Sequence, residues 1–415
     1  MRRANPAFAA LGVRPECLGL LKKQSITEPM PIQAEAIAPA TEGRDLVAIA
    51  QTGTGKTLAF GLPLLTRLAE SDAPKATALI LSPTRELAQQ IYDVLNPLAR
   101  ALNMNATCVY GGVGIGPQTR DLRAGGGVVI ATPGRLMDHI NRKNTDFSNL
   151  TTLVLDEADR MLDMGFMPDI KRIMAQLPEE RQTLMFSATF PDEIARLTRD
   201  MLNNPQRIEI ERNDDAMKDI RQCAYTVAQD GKLDLLKQLL GDEDAIRSAI
   251  IFVRTRRRAD RVAKSLGRGG FSAGAIHGDR SQSQRQHAIR AFARGKSQFL
   301  VATDVAARGI DVEGISHVIN YDMPQCADDY THRIGRTARA HADGDAITFV
   351  SHEDGKVLTQ IERTQGQALE QIEWDGAITL PASQPGNQSR PGGRKHGGKR
   401  QQWKNRRNKG RKQMN

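Results

Sequence analysis

The chain is poor in cysteine. Cys17, Cys108, Cys223 and Cys326 are the four among 415 residues, too scattered for a CxxC motif or a Cys/His zinc set. That excludes a disulfide framework and fits a reducing, cytoplasmic setting. No apolar run approaches the roughly 18 residues needed to span a bilayer. The first residues carry Arg14, Pro15 and Glu16 where an export signal needs its apolar centre, so no membrane partner is expected. No repeat of roughly 20 to 50 residues is visible, which excludes a solenoid or propeller. Acidic residues are missing from one region: from Arg390 onward there are 11 Lys or Arg and no Asp or Glu, while the remainder balances 47 basic against 48 acidic residues. With glycine, Gln and Asn and almost no apolar residues, this end cannot bury a core. It reads as a disordered anion-binding tail, with a solubilising end as the plain alternative.

What the chain does have is alternation. Short β-branched runs, "DLVAIA", "ATALILS", "GVVIA", "TTLVLD" and "TLMFSAT", are separated by helix-length segments such as "RELAQQIYDVLNPLAR". Buried strands alternating with helices specify a parallel sheet covered on both faces. The pattern dissolves in "ERNDDAMKD" and restarts with "CAYTVA", "SAIIFV", "SAGAIH", "QFLVAT", "HVINY" and "DAITFV", ending in a helix expected near "GKVLTQIERTQGQALEQI". The expectation is an α/β chain with two tandem domains: residues 1–208, a linker at 209–220, residues 221–375, and a basic tail at 376–415.

Two stretches carry chemistry. "AQTGTGKT", Ala50 to Thr57, lies between a strand and a helix, the context in which the backbone N–H groups of a glycine-rich turn converge on phosphate oxygens. Thr52, Gly53, Thr54 and Gly55 form the turn, Lys56 supplies a charge for the β and γ phosphates, and the Thr57 hydroxyl suits Mg²⁺. The usual first glycine of the motif is Ala50 here. "LVLDEADRMLD", residues 153–163, crowds carboxylates onto a strand end. A helix N-terminus favours such charge. Beside a phosphate site, however, Asp156 is placed to hold Mg²⁺, and Glu157 to accept a proton from an attacking water.

Residues 156–159 spell DEAD, and over about residues 8–350 the chain resembles the DEAD-box family of ATP-dependent RNA helicases. The resemblance implies two RecA-like P-loop domains, with ATP and Mg²⁺ as cofactors. It places Gln33 and Phe8 at the base, Asp311 at the ribose, and Arg336 and Arg339 at the γ-phosphate. Thr84, Arg85 and Gly112 match the first domain's RNA-binding motifs, as do Thr132, Gly134 and Arg135. Arg254, Gln282, Arg285 and Thr303 face RNA from the second domain. Asp159, Ser187, Thr189 and His332 couple the two sites. The chain departs from the family at Ser25-Ile26 and Pro29-Met30, where a Gly-aromatic and a Pro-Thr pair are usual, which implies looser adenine selectivity.

The activity implied is RNA-stimulated ATP hydrolysis that separates short duplexes or remodels RNA–protein complexes, by a monomer acting on ribosome-precursor or mRNA assemblies. A DNA-directed helicase and an ATP-independent RNA chaperone dominated by the tail are the alternatives.

Overall fold

Fourteen strands, all paired in parallel, form two seven-stranded sheets in the computed structural model, which describes residues 7–51, 53–73, 75–210, 220–242, 246–307, 312, 315–337 and 344–374. The first sheet contains β1 (Leu46–Ile49), β2 (Thr77–Leu81), β3 (Ala106–Val109), β4 (Gly127–Ala131), β5 (Leu150–Leu155), β6 (Gln182–Ser187) and β7 (Gln206–Glu209) in the order β3-β4-β2-β5-β6-β1-β7. The second contains β8 (Ile220–Thr226), β9 (Ala249–Phe252), β10 (Ala273–Ile276), β11 (Phe299–Ala302), β12 (His317–Asn320), β13 (Gly344–Val350) and β14 (Glu370–Glu373). Its order, β10-β11-β9-β12-β13-β8-β14, repeats the first position by position.

Helices cover both sheets. In the first lobe they are α1 (Pro15–Lys23), α2 (Pro31–Thr41), α3 (Lys56–Glu70), α4 (Arg85–Ala101), α5 (Ile115–Ala124), α6 (Pro133–Asn141), α7 (Ala158–Asp163), α8 (Met167–Met174) and α9 (Asp192–Met201). In the second they are α10 (Lys232–Leu240), α11 (Arg256–Arg268), α12 (Gln282–Ala293), α13 (Asp304–Ala307), α14 (Ala327–Ile334) and α15 (Gly355–Gln365). Side-chain caps fix where the strands hand over to helices. Thr84 Oγ1 accepts from the Leu87 N–H at the start of α4, and Thr255 Oγ1 from the Arg258 N–H at the start of α11, each at 3.2 Å.

Adjacent residues of the central strands serve opposite cores. Leu46, Ala48, Ile80, Val154 and Phe186 pack with α1 to α4, whereas Val47, Ile49, Leu81, Leu155 and Met185 pack with α6 to α9. That division is why these strands read as unbroken apolar runs. The expected RecA-like pair of covered parallel sheets is what forms. Three strands were not among the quoted strand runs, one of them β7, which pairs with β1. β3 is short and half-buried, and β14 falls inside the stretch expected to be helical. Gly366 ends α15 in the left-handed region at φ 70°, and the chain then adds β14 beside β8. The registers bring the ends of β1, β6 and β5 side by side, with Ile49 opposite Ser187 and Leu155 opposite Met185. Residues just beyond those ends share one rim, where open parallel sheets bind ligands. Both sheets lie in a single compact unit.

Candidate nucleotide site and the cleft beside it

The turn after β1 is built to leave its backbone exposed to a ligand. Gly53 and Gly55 adopt φ of 88° and 85°, a region side chains disfavour, and Thr54 Oγ1 closes the turn on the Gln51 carbonyl at 2.8 Å. A Cβ at Gly55 would collide with the Gln33 amide and the Met30 sulfur. Lys56 opens α3, 7% exposed, with Nζ on the Ala50 carbonyl at 3.0 Å. Gln33 is positioned by the same loop: its Nε2 donates to the Gly55 carbonyl at 3.0 Å, and its Oε1 accepts from the Met30 N–H at 2.9 Å. One N–H and one lone pair of the amide remain, a donor and an acceptor suited to an adenine edge. Phe8, expected at the base, is buried in the core of the first lobe. At 3% exposed it belongs to the core with Ile32 and Ala36, behind the helix that carries Gln33.

Asp156 follows β5, with its N–H on the Leu81 carbonyl. It is 2% exposed and its Oδ1 has no hydrogen-bond partner. Burial pushes this carboxyl up to about 7; Lys56 opposes the shift and Glu157 reinforces it. An unsatisfied buried carboxylate oxygen is costly and fits a cation that takes one carboxylate and completes its shell with water and phosphate, as Mg²⁺ does. Among the described residues no group of three or more His, Cys, Asp or Glu could hold a metal ion. Glu157 sits in the left-handed region, φ 53° and ψ 54°, a strained conformation for a residue with a Cβ. Its Oε2 accepts from Arg160 Nη1 at 2.9 Å in a buried ion pair.

Asp159 faces the neighbouring strand end. Its Oδ2 accepts from the Ala188 N–H at 3.1 Å, the Thr189 N–H at 2.8 Å and Thr189 Oγ1 at 2.9 Å, while its own N–H donates to Ser187 Oγ at 3.2 Å. The structure thus joins Asp159, Ser187 and Thr189 into one network. His332, on α14 of the second lobe, comes against this region. Burial holds its imidazole down to about 4, reinforced by Arg160 and opposed by Asp159, so it is neutral at pH 7. Arg336, 5% exposed, lines the same cavity as Arg160 and His332.

The DEAD/DEAH box helicase model matches residues 30–197, and the helicase conserved C-terminal domain matches residues 231–341. A Saccharomyces cerevisiae Dbp5 variant bound to RNA and ADP BeF3 is 31% identical, with a TM-score of 0.80 over 90% of this chain and 96% of that one. The chain belongs to the DEAD-box helicase family. ATP-dependent RNA helicase CshA of Listeria monocytogenes is 44% identical over 343 residues, 83% of this chain and 66% of that protein. The chain therefore spans just under two thirds of that relative. Against the same Dbp5 variant bound to Nup159, Gle1, IP6 and ADP, also 31% identical, the TM-score is 0.60 over 88% of this chain and 96% of that one. At equal identity the superposition is closer with the RNA-bound chain.

The DEAD-box motif residues of the cleft divide into two groups. Arg85 lies over the Gly111–Gly112 backbone, and a Cβ at Gly112, where φ is 82°, would strike its guanidinium. Thr84 is buried as a helix cap. Thr132 and Gly134 flank the start of α6, with open space above Gly134. Arg135 is held by the Val113 carbonyl at 3.1 Å and Gln118 Oε1 at 3.3 Å. Across the cleft Arg254 is half exposed, and Thr303 is buried at the start of α13. Gln282 and Arg285 do not open to the cleft. They are 3% and 7% exposed and both bind Glu86 of the first lobe, Gln282 Nε2 to Oε1 at 3.1 Å and Arg285 Nη2 to Oε2 at 2.9 Å.

Glu86 was missed in the sequence. Its signal was a carboxylate inside "PTREL", out of place among groups meant for phosphates. Arg333 was missed too; it grips Asp304 through both carboxylate oxygens, and Asn320 Oδ1 at 3.0 Å. Thr52, Asp311, Arg339 and the tail at 376–415 lie outside the described residues, as does nearly all of the linker.

Proposed function

We propose that this chain is an RNA-stimulated ATPase that separates short RNA duplexes locally or remodels RNA–protein complexes. One observation carries it: Glu157, Asp159 and Arg160, which follow the unsatisfied Asp156 of one lobe, lie against His332 of the other lobe, and Arg336 lines the same cavity as Arg160 and His332. In this reading Gln33 selects the base, and the turn through Gly53, Thr54, Gly55, Lys56 and Thr57 holds the phosphates. Asp156 and Thr57 suit Mg²⁺, which when bound neutralises phosphate charge and orients the γ-phosphate. Glu157 takes the proton of the attacking water, and Arg160 fixes its orientation. Arg336 and Arg339 supply positive charge as the transition state forms, a contribution of roughly 10³ to 10⁵ in rate in related nucleotide hydrolases.

Thr84, Arg85, Gly112, Thr132, Gly134, Arg254 and Thr303 offer hydroxyls, backbone and guanidinium groups to phosphates and 2′-hydroxyls, a grip that reads shape rather than bases. Arg135 positions the loop that carries them. Gln282 and Arg285 serve the cleft by closing it on Glu86. The network of Asp159, Ser187 and Thr189 passes closure to the nucleotide site. ATP and RNA, both favouring closure, assist each other as coupled ligands must.

The working division is residues 1–208, 209–220, 221–375 and 376–415, acting as a cytoplasmic monomer; among the described residues no helix is long and apolar enough to cross a membrane. Steady-state ATPase with matched RNA and DNA oligomers tests the assignment. RNA alone should stimulate; equal stimulation by DNA would sink it.

A further inference from the structure

Helix α11 carries six Lys or Arg and one acid, Asp260, in 13 residues. Two of the cations are spoken for: Arg256 pairs with Asp279 and Arg258 with Asp322. Asp260 is taken by His277 and Arg280. Arg257, Arg261, Lys264 and Arg268 remain, all exposed, and none of them is in an ion pair among the described residues. Their spacings of four, three and four place them in one stripe, a cation per turn over about 17 Å of helix.

A merely solvated face interleaves opposite charges, whereas like charges three and four apart repel and weaken a helix. The helix in the matching place of the first lobe, α4, follows the ordinary rule, with Arg85 and Arg100 balanced by Glu86 and Asp93. The stripe begins at the cleft. Arg256 packs against Gly278 and lies two residues beyond the half-exposed Arg254.

We propose that the outer face of α11 binds the phosphates of RNA extending beyond the cleft, through Arg257, Arg261, Lys264 and Arg268. This rests on the RNA-directed reading above. A helix face with four unpaired cations, whose one neighbouring acid, Asp260, is already taken by His277 and Arg280, holds a polyanion by releasing its counterions, and it would anchor the molecule beside the segment that the cleft acts on.

The test replaces all four residues with Gln in the full chain and measures binding of single-stranded RNA of about forty and about ten nucleotides by anisotropy against salt. For the long RNA, affinity should fall about tenfold or more, and the salt slope by roughly 2 to 3 units, at about 0.7 per lost contact. The short RNA should bind as before. Restoring Lys at the four positions should recover the long-RNA slope, since charge alone is required, and thermal stability should not fall, because repulsion is removed.

Unchanged long-RNA binding, or equal loss for both lengths, overturns the proposal. Binding of polyglutamate that the substitutions abolish, with RNA binding intact, reassigns the face to an acidic protein and overturns it equally. If the fourfold variant does not fold, Arg261→Gln with Lys264→Gln carries the same comparison at half the slope change. Hydrolysis with the short RNA is read on the same preparations. Its absence in the parent chain sinks the ATPase reading, while the binding comparison still decides the stripe.

Discussion

The two lobes share one strand order, so the same positions can be compared directly. After β5 stands Asp156 and after β12 stands Asp322, each 2% exposed. Asp322 is satisfied: its Oδ2 accepts the Arg254 N–H at 2.8 Å and its Oδ1 pairs with Arg258. Asp156 Oδ1 has no partner. A lysine likewise opens the helix after β1 and after β8. Lys56 sits beneath a turn with two glycines in the left-handed region. Lys232, 1% exposed, follows Gly231 at φ −79° and lies beside Asp322 and Asp354, with burial holding its ammonium down. The shared scaffold thus differs at one rim, where the loop takes two left-handed glycines and a buried carboxylate oxygen is left open. Function was placed on the rims, not in the fold.

The largest effect is expected at Glu157. Glu157→Gln should lower single-turnover hydrolysis by about 10² to 10⁴ while ATP and RNA still bind; lost nucleotide binding would contradict its role. Lys56→Met should weaken nucleotide binding about a hundredfold, the scale of a lost charge-assisted contact, whereas Lys232→Met should leave it unchanged. Titration with a fluorescent nucleotide reads both, and equal losses would erase the distinction between the lobes. Glu86→Ala strands the buried Arg285 and should raise the RNA concentration needed for half-maximal ATPase by about tenfold or more.

The acid response of His332 is smaller. Its folded pKa lies near 4, below the ordinary 6.5, so the unfolded chain binds the extra proton between those values. The stability it contributes is present above about 6.5 and is lost as pH falls toward 4, at up to about 1.4 kcal/mol per pH unit. Denaturant titrations across that window should show His332→Gln losing less than the parent. Smallest of all, Ser25 occupies φ 62°, where the family's usual glycine would be unstrained. Ser25→Gly should stabilise the chain by about 1 kcal/mol, read as a shift in the denaturation midpoint.

Much of this was legible in the residues. The central strands announce themselves because both their faces are buried, and the phosphate turn because strand, glycines, lysine and helix fall in order. Asp156 and Glu157 could be separated from Asp163 by their place at a strand end. Other features were not local. The contact of Glu86 with Gln282 and Arg285 joins residues 196 and 199 apart in sequence and exists only once the lobes meet, so two buried latch residues read as RNA ligands. The packing of Phe8 with Ile32 and Ala36 has no local mark either, since an isolated aromatic does not show which side of α2 it meets. The strained backbone of Glu157 and Ser25 has no signature in residue type.

The proposed function requires nucleotide and RNA together to close the two lobes on one site. Energy transfer between a donor on the first lobe and an acceptor on the second tests it most directly, with a non-hydrolysable ATP analogue and single-stranded RNA added singly and together. The short distance should appear only with both ligands, and matched DNA should not replace RNA. A distance that is the same under all conditions, or full closure with the analogue alone, would contradict it.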